Sequence, residues 1–248
     1  MSDAVEAYEP INTLKPVDTD IWIVDGPVIT FKKLPFPTRM TIVRIPSGDL
    51  FVHSPTELTE PLKAEIDALG PVRHLVSPNK IHYWWIGAWG DVYPNAIKWA
   101  SPGARPAAEK QGWRFDRDLG ADPDATWADD IDQFIVRGSR VLPEVIFFHK
   151  RSRCLILADL IENFEPSKVR SVFLRTLFKL VGIADPNGGM PFDLRLTYWG
   201  RRDAIAAAIG RMIAWNPQRI ILSHGRWYPD NGVAELRRAF RWIGGIAS

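Results

Sequence analysis

Gly70-Pro71-Val72-Arg73-His74-Leu75-Val76-Ser77-Pro78-Asn79-Lys80-Ile81-His82 has the layout of a metal-binding loop from which most of the ligands are missing. Gly70-Pro71 stops a helix, because glycine accepts a terminal conformation other residues avoid and proline cannot continue the hydrogen-bond ladder. His74–Val76 reads as a short apolar strand and Ser77–His82 as a polar loop. An aromatic stretch follows from Tyr83 to Tyr93, within which Ile86–Tyr93 reads as a helix stopped by Pro94. Further along, the apolar runs Leu155–Ala158 and Ile220–Ser223 each end on one potential ligand, Asp159 and His224.

Upstream, Ile21–Val24, Val28–Phe31, Met40–Arg44 and Leu50–His53 read as short strands separated by Gly/Pro turns. Ser47-Gly48-Asp49 makes the last two a hairpin. Thr59 caps a helix with Leu62, Ile66 and Leu69 on one face. Downstream, Ala96–Ala100 is a strand, and the polar residues 104–128 wrap the surface with one short helix. A second strand group is Gln133–Arg137, Glu144–His149 and Cys154–Ile161, with Lys150-Arg151-Ser152-Arg153 as a charged hairpin tip. The rest is helical around a short strand, Arg219–Leu222. Ser167 caps a segment carrying Val169, Val172, Phe173, Leu177 and Leu180 on one stripe, and a last helix turns Val233, Leu236, Phe240 and Ile243 inward. Two strand-rich groups, each followed by helices, predict two sheets face to face with helices outside. The expectation is one α/β domain, a four-layer αββα sandwich over residues 21–248, with residues 1–20 as an N-terminal extension. A doubly wound parallel sheet is the rival; the hairpin-like pairs and the lack of a Gly-rich strand–helix turn weigh against it.

The 248 residues are 46% apolar and 24% charged, which suits a globular domain with an ample core. A net charge of +2 gives no reason to expect nucleic acid or an anionic membrane as a partner. The N-terminus lacks a basic region followed by an apolar core, and no run approaches the ~18 apolar residues of a spanning helix, so a cytoplasmic location is expected. The lone Cys154 reads as a small buried hydrophobe.

Leu157-Ala158-Asp159 resembles the Gly-Asp strand end of the metallo-β-lactamase superfamily, and Leu222-Ser223-His224-Gly225 its final Gly-His-Gly. More narrowly, several segments resemble a domain-of-unknown-function branch of that superfamily. They are Phe51–Pro55, Gly70–Asn79, His82 with Trp89 and Pro94, Glu144–Phe148 followed by His149, and Ala158-Asp159-Leu160. The resemblance implies the sandwich fold and descent from a dinuclear metal site. Where the superfamily has Thr-His-x-His-x-Asp-His, this loop offers only His82. If Ser77 stands for the threonine, His82 falls near the aspartate; in a loop one residue shorter it falls at the last histidine. The Gly-His turn becomes Gly138-Ser139, and His53 stands where an acidic residue usually ends the second strand.

Three readings of function follow. The first is a non-catalytic domain, without cofactor, that binds a small molecule or a protein partner in the emptied cleft. That cleft would be lined by His53, Ser77 and Asn79 and walled by Trp84, Trp85 and Trp89. The alternative is a mononuclear metal-dependent hydrolase in which His82, Asp159 and His224 hold one zinc, since three protein ligands and an open position make a catalytic site. The third is a structural or oligomerising protein that uses its tryptophans in core and interface. Of the other candidates, His149 is expected to be solvated at a charged turn, and His74 to lie at a surface or edge. His53 either faces the site or fills a corner. Ser77 as a nucleophile would need His82 as its base. Asn79, Lys80 and Arg226 either donate to an anionic ligand or close turns.

Overall fold

The computed structural model describes residues 4–244. One sheet contains β1 (Lys15–Asp18), β2 (Ile21–Phe31), β3 (Leu34–Arg44), β4 (Leu50–His53), β5 (Val72–Val76), β6 (Ile97–Ala100) and β7 (Arg117–Asp118), in that spatial order. Its first four strands are antiparallel neighbours; from β4 onward the pairs are parallel. The second sheet has β8 (Ile131–Val136), β9 (Glu144–His149), β10 (Cys154–Ile156) and β11 (Arg219–Ile221), in the order β11-β10-β9-β8. The helices are α1 (Glu60–Leu69), α2 (Ile86–Val92), α3 (Arg105–Lys110), α4 (Val172–Val181), α5 (Phe192–Leu196), α6 (Arg202–Ala214) and α7 (Gly232–Ala239).

Side-chain alternation builds the layers. In β9 every residue is buried, with Val145 and Phe147 in the core between the sheets and Ile146 and Phe148 in the core under α6 and α7. In β4, Leu50 and Val52 join Leu62 and Ile66 of α1 in the opposite outer core, while Phe51 turns inward. Strands covered on both faces need a layer on each side, and the result is the αββα sandwich. Among the described residues no helix is long and apolar enough to cross a membrane.

Several boundaries differ from expectation. Residues 15–18 form the edge strand β1 and Val5 bridges to Val169, so this part of the 1–20 extension belongs to the body of the fold. The helix after the loop starts at Ile86, as expected, and ends at Val92, one residue short of the expected Tyr93. Strand β10 ends at Ile156, since the N–H groups of Ala158 and Asp159 donate to the Glu144 carboxylate instead of to a ladder. Ser171, not Ser167, caps α4, accepting from the Leu174 N–H at 3.3 Å. The expected stripe divides: Val169 is buried and Leu177 packs against the core, while Val172, Phe173 and Leu180 are exposed; the buried face of α4 is instead Leu174 and Phe178.

Candidate metal centre

Four strand ends meet at one rim of the sandwich. After β5, Ser77 donates its hydroxyl to the Asn79 carbonyl at 2.8 Å, and the Ile81 N–H donates to Asn79 Oδ1 at 3.0 Å. These bonds turn the loop, and Val145 N–H donating to the Pro78 carbonyl at 2.8 Å ties it to the second sheet. His82 is thereby delivered over the end of β10. Ser77 is wholly buried, and its hydroxyl is engaged by the Asn79 carbonyl, while the His82 Nδ1 is engaged by Ser54.

Asp159 follows β10. Glu144 accepts from the N–H groups of Ala158 and Asp159, both at 2.8 Å. Asn79 Nδ2 donates to Asp159 Oδ2 at 2.7 Å and to Glu144 Oε2 at 3.2 Å. His224 follows β11. Its Nδ1 lies 2.8 Å from the Pro37 carbonyl, which fixes the proton on that nitrogen. The buried Arg39, paired with Asp25, donates to the carbonyls of Leu222 and Gly225 at 2.8 and 2.7 Å and clamps the turn around His224. Gly225 (φ +86°) is required there, because a Cβ would stand 2.2 Å from the Asn163 carbonyl oxygen.

The three side chains converge. His224 Nε2 lies 3.2 Å from Asp159 Oδ1, and His82 Nε2 lies 3.2 Å from both Asp159 oxygens. One donor atom from each residue falls within 4.8 Å of the others. Ser54 Oγ sits 2.6 Å from His82 Nδ1, so both imidazoles occupy Nδ1 with protein and turn Nε2 inward. Ser54 itself holds φ +52°, a strained conformation for a serine, at the end of β4. Tetrahedral zinc with bonds of about 2.0–2.1 Å places its ligand atoms about 3.3 Å apart. Both histidine–aspartate separations match that spacing, and the third pair of donors lies within 4.8 Å, so the set could hold one such ion.

Charge follows geometry. Burial alone would raise the Asp159 carboxyl, but the two imidazoles outweigh it and hold the group well below the usual carboxylate range. Burial would lower His224; its bond to Asp159 reverses this and raises it. Glu144 is pushed up to about 7 by burial and by Asp159. Glu162 is pushed up to about 8, chiefly by burial.

The expected cleft lining is only partly in place. Asn79 is in the cluster. His53 is buried against Phe147, faces no hydrogen-bond partner at either nitrogen, and is driven down to about 3, first by desolvation and then by His82. Trp89 does not wall a cleft: it is fully buried in the outer core, its N–H donating to the Thr56 carbonyl. Trp85 packs on the same core, and Trp84 is exposed, edge-on to Phe31. The ring beside His224 is Phe36, at 5.3 Å between centroids. His74 is buried inside the sheet, accepting from Trp99 Nε1, and His149 is buried between Ser152 and Asp130; neither is solvated or at an edge. Both lie on strands covered on two sides, which a charged neighbour in sequence does not reveal. Ser54, Glu144, Arg39 and Glu162 were missed. The signal for Glu144 was present: a carboxylate heading a wholly apolar strand is buried and must find donors.

A family model described as Domain of unknown function (DUF4336) matches residues 18–185. The chain belongs to that family. The fold of this DUF4336 chain is that of the metallo-β-lactamases. DIM-1 metallo-β-lactamase exposed to ceftazidime superposes with a TM-score of 0.63 at 14% identity, over 95% of this chain and 97% of the other. A metallo-β-lactamase from Pontibacter korlensis gives 0.62 at 14% identity, over 94% and 99%. FIM-1 from Pseudomonas aeruginosa, in its mono-zinc form, gives 0.61 at 14% identity, over 98% of each chain. No curated protein matches the chain.

Proposed function

We propose that this DUF4336 chain binds one divalent transition metal through His82, Asp159 and His224, and that its reaction class is metal-dependent hydrolysis. The observation that carries this reading is the convergence of three donor atoms within 4.8 Å, with the far nitrogen of each imidazole already engaged by protein. Two imidazoles and a carboxylate are a zinc-type donor set, and three protein ligands leave a position for substrate. When bound, the metal supplies Lewis acidity toward a carbonyl or phosphoryl oxygen. The donor count argues for one ion: the cluster gathers three protein ligands, and Asn79 steadies the Asp159 carboxylate by donating to Oδ2 at 2.7 Å. A relative in the fold, FIM-1, is described in a mono-zinc form. Ser54 and the Pro37 carbonyl orient the rings, and Glu144 holds the Asp159 backbone.

The cofactor-free binding reading loses its motivation. It rested on a cleft walled by tryptophans, and Trp89 is buried in the outer core with Trp85 packed against that core. The test is metal analysis of untagged protein purified without chelator, followed by zinc titration of the stripped chain. About one zinc per chain, lost in His224→Ala together with any esterase or phosphodiesterase turnover, supports the reading. Less than about a tenth of an ion per chain, with no uptake on titration, ends it.

A further inference from the structure

Six of the nine large apolar side chains that stand exposed among the described residues fall between positions 172 and 199. They are Val172, Phe173 and Leu180 of α4, Phe192 and Leu196 of α5, and Trp199 just beyond. Phe173, Trp199 and Leu180 are 73, 74 and 77% exposed. Apolar side chains concentrated in this way on a surface mark an interaction site. At the angular step of an α-helix, Val172, Leu180 and Phe173 span an arc of about 100°. That arc lies across the helix from Leu174 and Phe178, which enter the core. α4 thus carries apolar side chains on two faces, the outer one interrupted by Thr176, whose hydroxyl is turned back on the Val172 carbonyl at 3.0 Å, and the fold uses the inner face.

Arg175 and Lys179 form the margin between those faces, both exposed. α5 adjoins the end of α4: Arg195 Nη2 lies 2.8 Å from where a Cβ on the capping Gly182 would stand. After Trp199 come Arg201 and Arg202, also exposed. These four exposed cations face two exposed carboxylates, Asp193 and Asp203, over the same stretch. Phe, Leu and Trp projecting among Arg and Lys match the boundary of an anionic bilayer. There apolar side chains enter the acyl region, an indole sits at headgroup depth and cations meet phosphate. We propose that the α4–α5 face docks this protein on an anionic lipid surface. A second copy fits less well, because a two-fold interface would set the basic margins of both copies against each other. Neither a net charge of +2 nor the search for a spanning helix among the described residues registers such a patch.

The experiment is vesicle flotation of the full chain, with phosphatidylcholine alone and with about 30 mol% phosphatidylglycerol added. The expected result is binding to the anionic vesicles that weakens with salt. Phe173→Ser combined with Leu180→Ser lowers that partition about tenfold or more, with the thermal melt unchanged because both side chains are exposed. Arg175→Gln with Lys179→Gln removes the preference for anionic over neutral vesicles and serves as the second, purely electrostatic variant. Failure of the wild-type chain to float with either vesicle overturns the proposal. So does a wild-type dimer in light scattering that Phe173→Ser/Leu180→Ser converts to monomer, since a protein then covers the face. Neither outcome bears on zinc content.

Discussion

β9 carries a histidine–carboxylate cluster near each end, about 17 Å apart along the strand. At the His149 end the ring lies between Ser152 Oγ, 2.7 Å from Nδ1, and Asp130 Oδ2, 3.1 Å from Nε2, and Arg151 approaches Asp130 at 3.8 Å. Both nitrogens are used, by different partners, and nothing further converges. At the Glu144 end, His82 and His224 each give Nδ1 to protein and turn Nε2 toward the same carboxylate. The first cluster braces a turn. The second gathers donors around a point. A buried His–Asp hydrogen bond is therefore no sign of a metal site; the sign is two rings whose free nitrogens share one acceptor.

The sharpest way to break this contrast is a pair of variants. Asp159→Ala should weaken zinc binding about a hundredfold or more, a loss larger than that of a residue behind the ligands. His149→Ala should leave zinc stoichiometry intact and lower stability by about 2 kcal/mol, because Asp130 and Ser152 lose a buried partner. Titration calorimetry and thermal melts read the two effects; equal zinc losses would erase the distinction. Next in size is Ser54→Ala, which removes the group orienting His82. Zinc affinity should fall about tenfold with stoichiometry unchanged, and an unaltered affinity would show that Ser54 only shapes the strand end.

Acidity probes the same comparison. His224 is raised above its ordinary 6.5, so protons compete for Nε2 at neutral pH. Zinc affinity should rise with pH through and above that value, with proton release measurable by calorimetry in buffers of different ionisation enthalpy. A flat profile would remove His224 from the ligand set.

The smallest expected effect concerns His53, whose folded value is about 3 against 6.5 unfolded. A depressed folded value means stability that is complete above 6.5 and lost as pH falls toward 3. His53→Leu should flatten that part of the zinc-free protein's urea midpoint profile. It should cost little at pH 7, since neither ring nitrogen has a partner to lose. A profile as steep as wild type would assign the acid sensitivity to other groups, such as His74, which burial lowers to about 4.

Much of the fold was legible along the chain. Thr59 caps α1 as expected, Ser47-Gly48-Asp49 joins β3 to β4 as a hairpin, and the apolar run after Glu144 is a strand buried on both faces. Each depends on chemistry within a few residues. The errors share the opposite property. His149 looked solvated because Lys150 and Arg151 follow it, yet its ring is enclosed by Asp130, 19 positions earlier. Val172, Phe173 and Leu180 looked like core because periodicity does not report whether a second layer exists to cover them. Ser54 reaches His82 from 28 positions away, and Glu144 reaches the Asp159 N–H from 15.

Residue types and their local spacing were enough to set Asp159 and His224 at the ends of apolar strands and His82 in a polar loop, because helix, strand and turn signals act over short range; it was the resemblance to the metallo-β-lactamase superfamily that made the three a candidate ligand set. Their meeting was a different matter. His82 and Asp159 are 77 positions apart, and their separation depends on every register choice made between them. The hydrogen bonds that aim the rings, from Ser54 and the Pro37 carbonyl, arise only once β4 lies between β3 and β5 and the turn after β11 is brought against β3.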